Sequence, residues 1–277
     1  MTDKITLPLP QKPKKTFGSI LREKPQLLTV PALFVIVVLL WEYGTQLIQV
    51  PEYILPKPSV IVATLVEQLM KPIFWSHVGI TLQEAGLGFL IGVVVALVLG
   101  VLVARSQLTE KTIMPYVVAF QSVPKVALAP LFVVWFGFGL TSKIVMSAVI
   151  AFFPILINVI EGLKAVDKDK VEMLTSFGAS EAQIFRMARF PSALPFIFAG
   201  LNVGAIFAIL GAIVGEFIGA QGGLGYMLLQ ANYNFDIPEM FSALLVLSFI
   251  GLMSHLIITS LQRKYTFWAE EIRVATS

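Results

Sequence analysis

Polar and apolar positions alternate along this chain in long blocks, not residue by residue. Apolar runs cover 28–48, 84–104, 113–136, 142–162, 194–218 and 240–261, and the stretches between them carry most of the charge. Each run approaches the ~20 residues that a helix needs to cross a ~30 Å hydrocarbon core. Barrel strands would instead be short and alternating. The pattern therefore predicts an all-α integral membrane protein with six transmembrane helices. One island stands out between the fourth and fifth runs. Segment 172–195, EMLTSFGASEAQIFRMARFPSALP, follows a dense set of charges, with Lys164, Asp167, Lys168, Asp169, Lys170, Glu172, Glu181, Arg186 and Arg189 close together. Such a segment leaves the bilayer and meets water or another protein.

The placement of basic residues orders the spans. With both termini inside, the inner segments hold sixteen basic residues and the outer ones only Lys57, Lys71 and Lys143, with Lys125 left within a span. This asymmetry fits the positive-inside rule and sets six spans with cytoplasmic ends. The expected organisation is a cytoplasmic tail at 1–27, a permease-like membrane domain at 28–262 containing a cytoplasmic loop at 163–193, and a second tail at 263–277. The first run follows a basic, proline-containing tail and precedes no small-residue cleavage site, so it reads as a retained span. In the long outer loop, Pro58 and Ser59 ahead of VIVATLVEQLM read as the start of a short amphipathic helix. Segment 219–239 reads as an outer loop.

Composition narrows the chemistry. A mean hydropathy of +0.84 accompanies 13% charged residues, against roughly a quarter in soluble domains. The chain has no cysteine, which removes disulfides, thiolate catalysis and cysteine metal sites. His77 and His255 lie far apart without a metal-ligand pattern, and no GxxxxGK[ST] phosphate loop is present. No catalytic constellation, resident metal or cofactor, or nucleic-acid partner is expected, and active transport would draw its energy from another subunit. Small residues recur at four-residue spacing, Gly88 with Gly92, Gly200 with Gly204, and Gly211 with Gly215 and Gly219, which predicts close helix contact within one chain or between two.

The charged island reads as two helices around a turn. Asp167 or Asp169 can cap the first helix. Gly178 suits a left-handed turn, and a second helix begins near Ser180 with Glu181 and Gln183 in its first turn. Pro191 and Pro195 are expected to close the segment against the membrane. Within the spans, Gln121 and Lys125 lie one helical turn apart near Pro124 and Pro130, which weaken a helix. Lys125 either lines a polar path or snorkels toward headgroups. Asn158, Asn202 and Glu216 either share that path or make interhelical hydrogen bonds.

The spacing Glu172, Gly178, Pro191 resembles the EAA loop of permease subunits in binding-protein-dependent ABC importers. Four further stretches, LPKPSVIVATLVEQL, QSVPKVALAPLFVVWFGFGLTSKI, AFFPILINVIEGLKAVD and GEFIGAQGGLGYMLLQA, resemble the nitrate, sulfonate and taurine branch of that family. The resemblance covers roughly residues 30 to 265. Met173 and Leu174 stand where the motif has alanines, and Ala188 and Phe190 where isoleucine and leucine are usual; the acidic residue and the turn are intact. The resemblance implies a type I ABC importer permease-like bundle in a bacterial inner membrane. It also implies a homodimer, two copies of a cytoplasmic ATPase that bind ATP and magnesium, and an external solute-binding protein. Glu172, Met173, Ser176, Phe177, Gly178 and Ala179 would dock the ATPase, and a small anionic or heteroaromatic solute would pass Gln121, Lys125, Asn158, Asn202 and Glu216. A secondary transporter or channel without an ATPase is the alternative.

Reporter fusions test the topology. Fusions after Lys168 and Arg273 are expected to report cytoplasm and those after Glu67 and Asn232 the outside; one robust reversal rejects six spans.

Overall fold

The computed structural model describes residues 26–268. It divides into two compact units, 1–60 and 61–277. The expected tails fall mostly outside the described residues. In the first unit, α1 spans Gln26–Leu47 and matches the first predicted run. Gln49, with φ 55°, turns the chain out of that helix. The Glu42 carboxylate reaches across 17 residues to accept hydrogen bonds from the Ser59 amide at 2.9 Å and the Ser59 hydroxyl at 2.7 Å. An acid at the first turn of a helix satisfies amides that have no intrahelical partner. It thereby fixes the start of α2, Pro58–Leu69, the short amphipathic helix expected from sequence.

In the second unit, α3 (Pro72–Ala104), α6 (Leu140–Lys164) and α9 (Phe190–Gly219) form the core. Between α3 and α6 lie α4 (Gln107–Ser122), a 3₁₀ turn at Lys125–Leu128, and α5 (Ala129–Phe136). Between α6 and α9 lie α7 (Lys168–Ser176), α8 (Glu181–Ile184) and a π-helical turn at Phe185–Arg189. The chain closes with α10 (Leu224–Tyr233) and α11 (Ile237–Tyr265).

Glycines show why α6 is central. Gly88 and Gly92 of α3 lie against Ser147, Ala148 and Ala151, and Gly100 lies against Val159, so α3 and α6 run parallel. On an adjoining face, Gly200, Gly204, Gly211 and Gly215 of α9 meet Asn158, Ile155, Ser147 and Lys143 in that order, so α9 runs antiparallel. The four-residue glycine spacing is thus used within one chain for these helices. Lipid chains are as apolar as leucine, so association between spans depends on close packing and interhelical hydrogen bonds. Ser147 supplies both, since it touches Gly88 and Gly211 and its hydroxyl donates to the Ala208 carbonyl at 2.9 Å. Apolar residues packed around Ile155, Val159 and Ile160 fill the rest of this seam.

Among the described residues, five helices are long and apolar enough to cross a membrane, and the number rises to six when the bent pair α4 and α5 is counted as one span. The third span, expected as one helix over 113–136, is instead broken by 80°. Pro124 has no amide proton, and a residue preceding proline is biased away from helical geometry. Val123 accordingly adopts ψ 130°. A second expectation is corrected at Pro191 and Pro195, which do not close the loop, because helix continues through both into α9. Pro191 lies in the first turn of α9, and the π turn just before it alters the local hydrogen-bond register. Segment 219–239, expected as loop, contains the ten-residue α10.

Two alanine substitutions separate close packing from helix propensity. A Cβ on Gly211 would lie 2.6 Å from the Ser147 Cα, whereas one on Gly251 of α11 meets nothing within 4 Å. Gly211→Ala is expected to destabilise by about 1–3 kcal/mol, and Gly251→Ala to be neutral or stabilising by up to ~1 kcal/mol. Thermal denaturation of the purified protein in detergent reads both signs.

Candidate functional site

Three sets of residues merit attention, at the two ends of the core and at the break between them. At the end where α3 and α6 finish, α7 projects as a short polar helix. Asp167 is its N-cap and accepts from the Asp169 amide at 3.0 Å. Gly178 takes φ 77° and its amide donates to the Thr175 carbonyl at 2.9 Å, so the expected left-handed turn is present. Ser180 and Gln183 then form a capping box that starts α8. Glu172, Ser176, Phe177 and Gly178 are exposed and Ala179 is half-buried. Two large apolar side chains stand out here, Met173 52% exposed on α7 and Phe177 81% exposed just past its end, while Val171 and Leu174 are half-buried. Ile184 and Ala188 bury the base of this projection, and Lys164 pairs with Glu110 of α4 at 2.7 Å beside it.

At the break, Lys125 begins the 3₁₀ turn. Its ammonium donates to the Gln121 carbonyl at 2.9 Å and lies 4.7 Å from the centre of the Phe153 ring on α6. A cation over an aromatic face is attracted by the negative face of the ring. Gln121 is exposed and Lys125 half-buried. One turn along α6 from Phe153, Asn158 donates to the Pro154 carbonyl at 2.8 Å and packs on Gly200, two residues from Asn202. Lys125 therefore lies against α6 at Phe153 with Gln121 adjoining, and Asn158 packs on α9 at Gly200, whereas Asn202 points about 200° further around α9 and keeps its side-chain oxygen buried without a hydrogen-bond partner.

Glu216 lies elsewhere. It is 14 residues beyond Asn202 along α9, or about 21 Å at 1.5 Å per residue. It is 1% exposed, and its carboxylate is fully engaged. One oxygen accepts from Thr81 of α3 at 2.6 Å, and the other accepts from the backbone amides of Gly225 and Tyr226, the latter at 3.2 Å. Those amides belong to the first turn of α10, where an anion is stabilised by unpaired N–H groups and the helix dipole. Thr81 in turn accepts from the Leu224 amide at 2.7 Å, and His77 Nδ1 accepts from the Gly223 amide at 3.0 Å. Gly223 has φ 110°, and a Cβ there would overlap the Glu216 carboxyl. Glycine meets both demands. The geometry makes Glu216 an anchor for α10 and not a group facing an open path.

Beside it lie two charged residues that sequence reasoning missed. Glu84 of α3, 2% exposed, faces Glu216, and Lys143 of α6 is 3% exposed. The Lys143 ammonium donates to the carbonyls of Phe138, Gly139 and Gly219, joining the turn before α6 to the end of α9. Reading Lys143 as an outer-loop charge hid this role; the usable signal was a lysine at the second position of the apolar run 142–162, which is costly unless paired. Outside the spans, Lys71 bonds to Glu67 at 2.7 Å, and the carboxylate holds the lysine above its ordinary pKa. Among the described residues no group of three or more histidine, acidic or cysteine side chains could hold a metal.

Comparison with known proteins places this architecture. The family described as binding-protein-dependent transport system inner membrane component matches residues 88–267. The chain is 33% identical over 238 residues to the formylaminopyrimidine transport permease protein ThiX of Halalkalibacterium halodurans, covering 86% of this chain and 94% of that one. It is 34% identical over 241 residues to the riboflavin transport system permease protein RibX of Chloroflexus aurantiacus, covering 87% and 90%. A putative aliphatic sulfonates transport permease protein of Bacillus subtilis is 31% identical over 262 residues, covering 92% and 94%. Among solved structures, an inward-facing MetNI methionine ABC transporter chain superposes with a TM-score of 0.63 at 26% identity, covering 71% of this chain and 99% of that one.

The anchoring role of Glu216 is open to direct test. Glu216→Ala is expected to speed amide hydrogen exchange at Gly225 and Tyr226 by about tenfold or more, the loss of a charge-assisted hydrogen bond, while amides of α6 remain protected. Unchanged exchange at 223–226 removes the carboxylate from this role.

Proposed function

We propose that this chain, which belongs to the family of binding-protein-dependent transport system inner membrane components, works as a homodimer on two cytoplasmic ATPase subunits and receives solute from an external binding protein. The chain is the membrane-spanning permease subunit of an ABC importer, similar to permeases for sulfonates, taurine, riboflavin and a pyrimidine. In this reading the termini are cytoplasmic, and ATP and magnesium are bound and turned over by the partner.

The observation that carries the reading is α7 with its turn. Phe177 and Met173 leave apolar surface uncovered on a polar projection, and a cleft on the ATPase would cover it. Glu172, Ser176 and Ala179 flank them, with Glu172 offering a charge to a basic or polar partner group. Because α8, the π turn and α9 are continuous helix, displacement of the docked segment would be carried into the core. ATP binding would then favour one arrangement of the paired bundles through contacts that differ between states, with no chemistry in this chain.

The solute path would pass Gln121, Lys125, Asn158 and Asn202, with Lys125 favouring an anionic or electron-rich heteroaromatic solute. Glu216, included in that path on sequence grounds, would act instead by holding α10.

Docking predicts a matched pair of phenotypes. Glu172→Ala removes a charge-assisted contact, and Gly178→Val places a β-branched residue at φ 77°, a conformational cost of order 1 kcal/mol or more. The cost is purely conformational, since a Cβ on Gly178 would meet nothing within 4 Å. Both variants are expected to reach the membrane normally yet lose ATPase co-purification, or lose solute-stimulated hydrolysis and uptake together. Wild-type uptake by both at equal membrane levels would refute docking through α7.

A further inference from the structure

The buried charges around Glu216 do not balance. Glu84, Glu216 and Lys143 are all buried, so two acids share this end of the core with a single ammonium group. Their hydrogen bonds set the two acids apart. Glu216 accepts from the Thr81 hydroxyl and from the Gly225 and Tyr226 amides. An ammonium group has three N–H donors, and those of Lys143 go to the Phe138, Gly139 and Gly219 carbonyls, which leaves none for a carboxylate. His77 directs Nδ1 to the Gly223 amide. Glu84 receives no donor from these neighbours, and its Oε2 is buried without a hydrogen-bond partner. Its side chain lies instead within hydrogen-bonding reach of Glu216.

Two ionised carboxylates have no proton to place between them, and they repel at such close range. A buried carboxylate without donors is also far more costly than a neutral carboxylic acid in the same place. Glu216 has the donors that an anion needs, whereas Glu84 has only an acceptor to which a proton can be given. We propose that Glu84 is a proton-binding site, holding one proton at neutral pH and donating it in a hydrogen bond to the ionised Glu216. With that proton in place the cluster is neutral, one ammonium group against one carboxylate. The bond ties α3 to α9 at the carboxylate that holds α10. Loss of the proton would set like charges beside the bonds to Gly225 and Tyr226. Glu84 also forms part of the wall of a cavity of about 270 Å³ together with the exposed Phe138, Leu140 and Gln221, an opening through which the proton exchanges with water. The site requires no partner subunit and stands apart from ATPase docking.

Infrared spectroscopy of the purified full chain in detergent tests the site, with the glutamate carboxyl groups labelled with carbon-13. The expected result at neutral pH is a C=O stretching band of an un-ionised glutamic acid, separate from the carboxylate bands and shifted by the label. Glu84→Gln, which keeps a neutral donor of the same shape, is expected to abolish that band with thermal denaturation unaltered. Glu84→Met, apolar and of similar size, is expected to abolish it as well and serves in its place if the glutamine variant fails to fold. Absence of the band from the wild-type chain overturns the proposal. Survival of the band in a folded Glu84 variant assigns the proton to another acid and also overturns it.

Discussion

The close approach of α3 and α9 to α6 is the constraint on which the other features depend. In a bilayer, burial of apolar side chains between helices gains little over burial in lipid, so the seam needs backbone proximity and a few internal polar bonds. Ser147 occupies the tightest point, facing glycines on both neighbours and bonding to the Ala208 carbonyl. With α3, α6 and α9 fixed in register, residues distant in sequence meet at defined heights. Thr81, Lys143 and Glu216 come together at one end, and Arg105, Leu163 and Arg189 at the other.

The two ends use charge differently. At the end holding Glu216, charge is buried: Glu216 is bound by backbone amides and a hydroxyl and Lys143 by backbone carbonyls, while Glu84 leaves one buried carboxyl oxygen without a hydrogen-bond partner. Such an arrangement is costly to form alone and strongly oriented once formed. At the other end, charged side chains are exposed or loosely paired and apolar groups protrude. The first pattern fixes geometry, and the second leaves surface to be satisfied by something outside the chain.

Legibility in the sequence follows the range of the determining interactions. Asp167, Gly178 and the Ser180 capping box were readable because each acts within four residues, and the long spans were readable because hydropathy is a property of a window. The break near Pro124 was visible as a weakness, but its 80° angle depends on what α5 packs against. The short α10 was missed because its first turn is held by Glu216 and Thr81 from two other helices. The same long-range logic misplaced Lys143, whose partners lie as far away in sequence as Gly219. Pro191 and Pro195 misled for a local reason, since Pro191 follows a π turn that already alters the hydrogen-bond register and the helix continues through Pro195 inside α9.

The π turn at Phe185–Arg189 acts as a phase shifter between two stretches of helix. A π turn holds one residue more than the α turn it replaces. Its presence sets the azimuth at which α8 and the Gly178 turn leave α9, independently of the side chains on either side. Removing a single residue from 185–189 and restoring α geometry would rotate the projecting segment about 100° around the helix axis while leaving every span in place. The direction in which α7 projects is thus stored in chain length at one turn, where a lone insertion or deletion could redirect it without disturbing the membrane core.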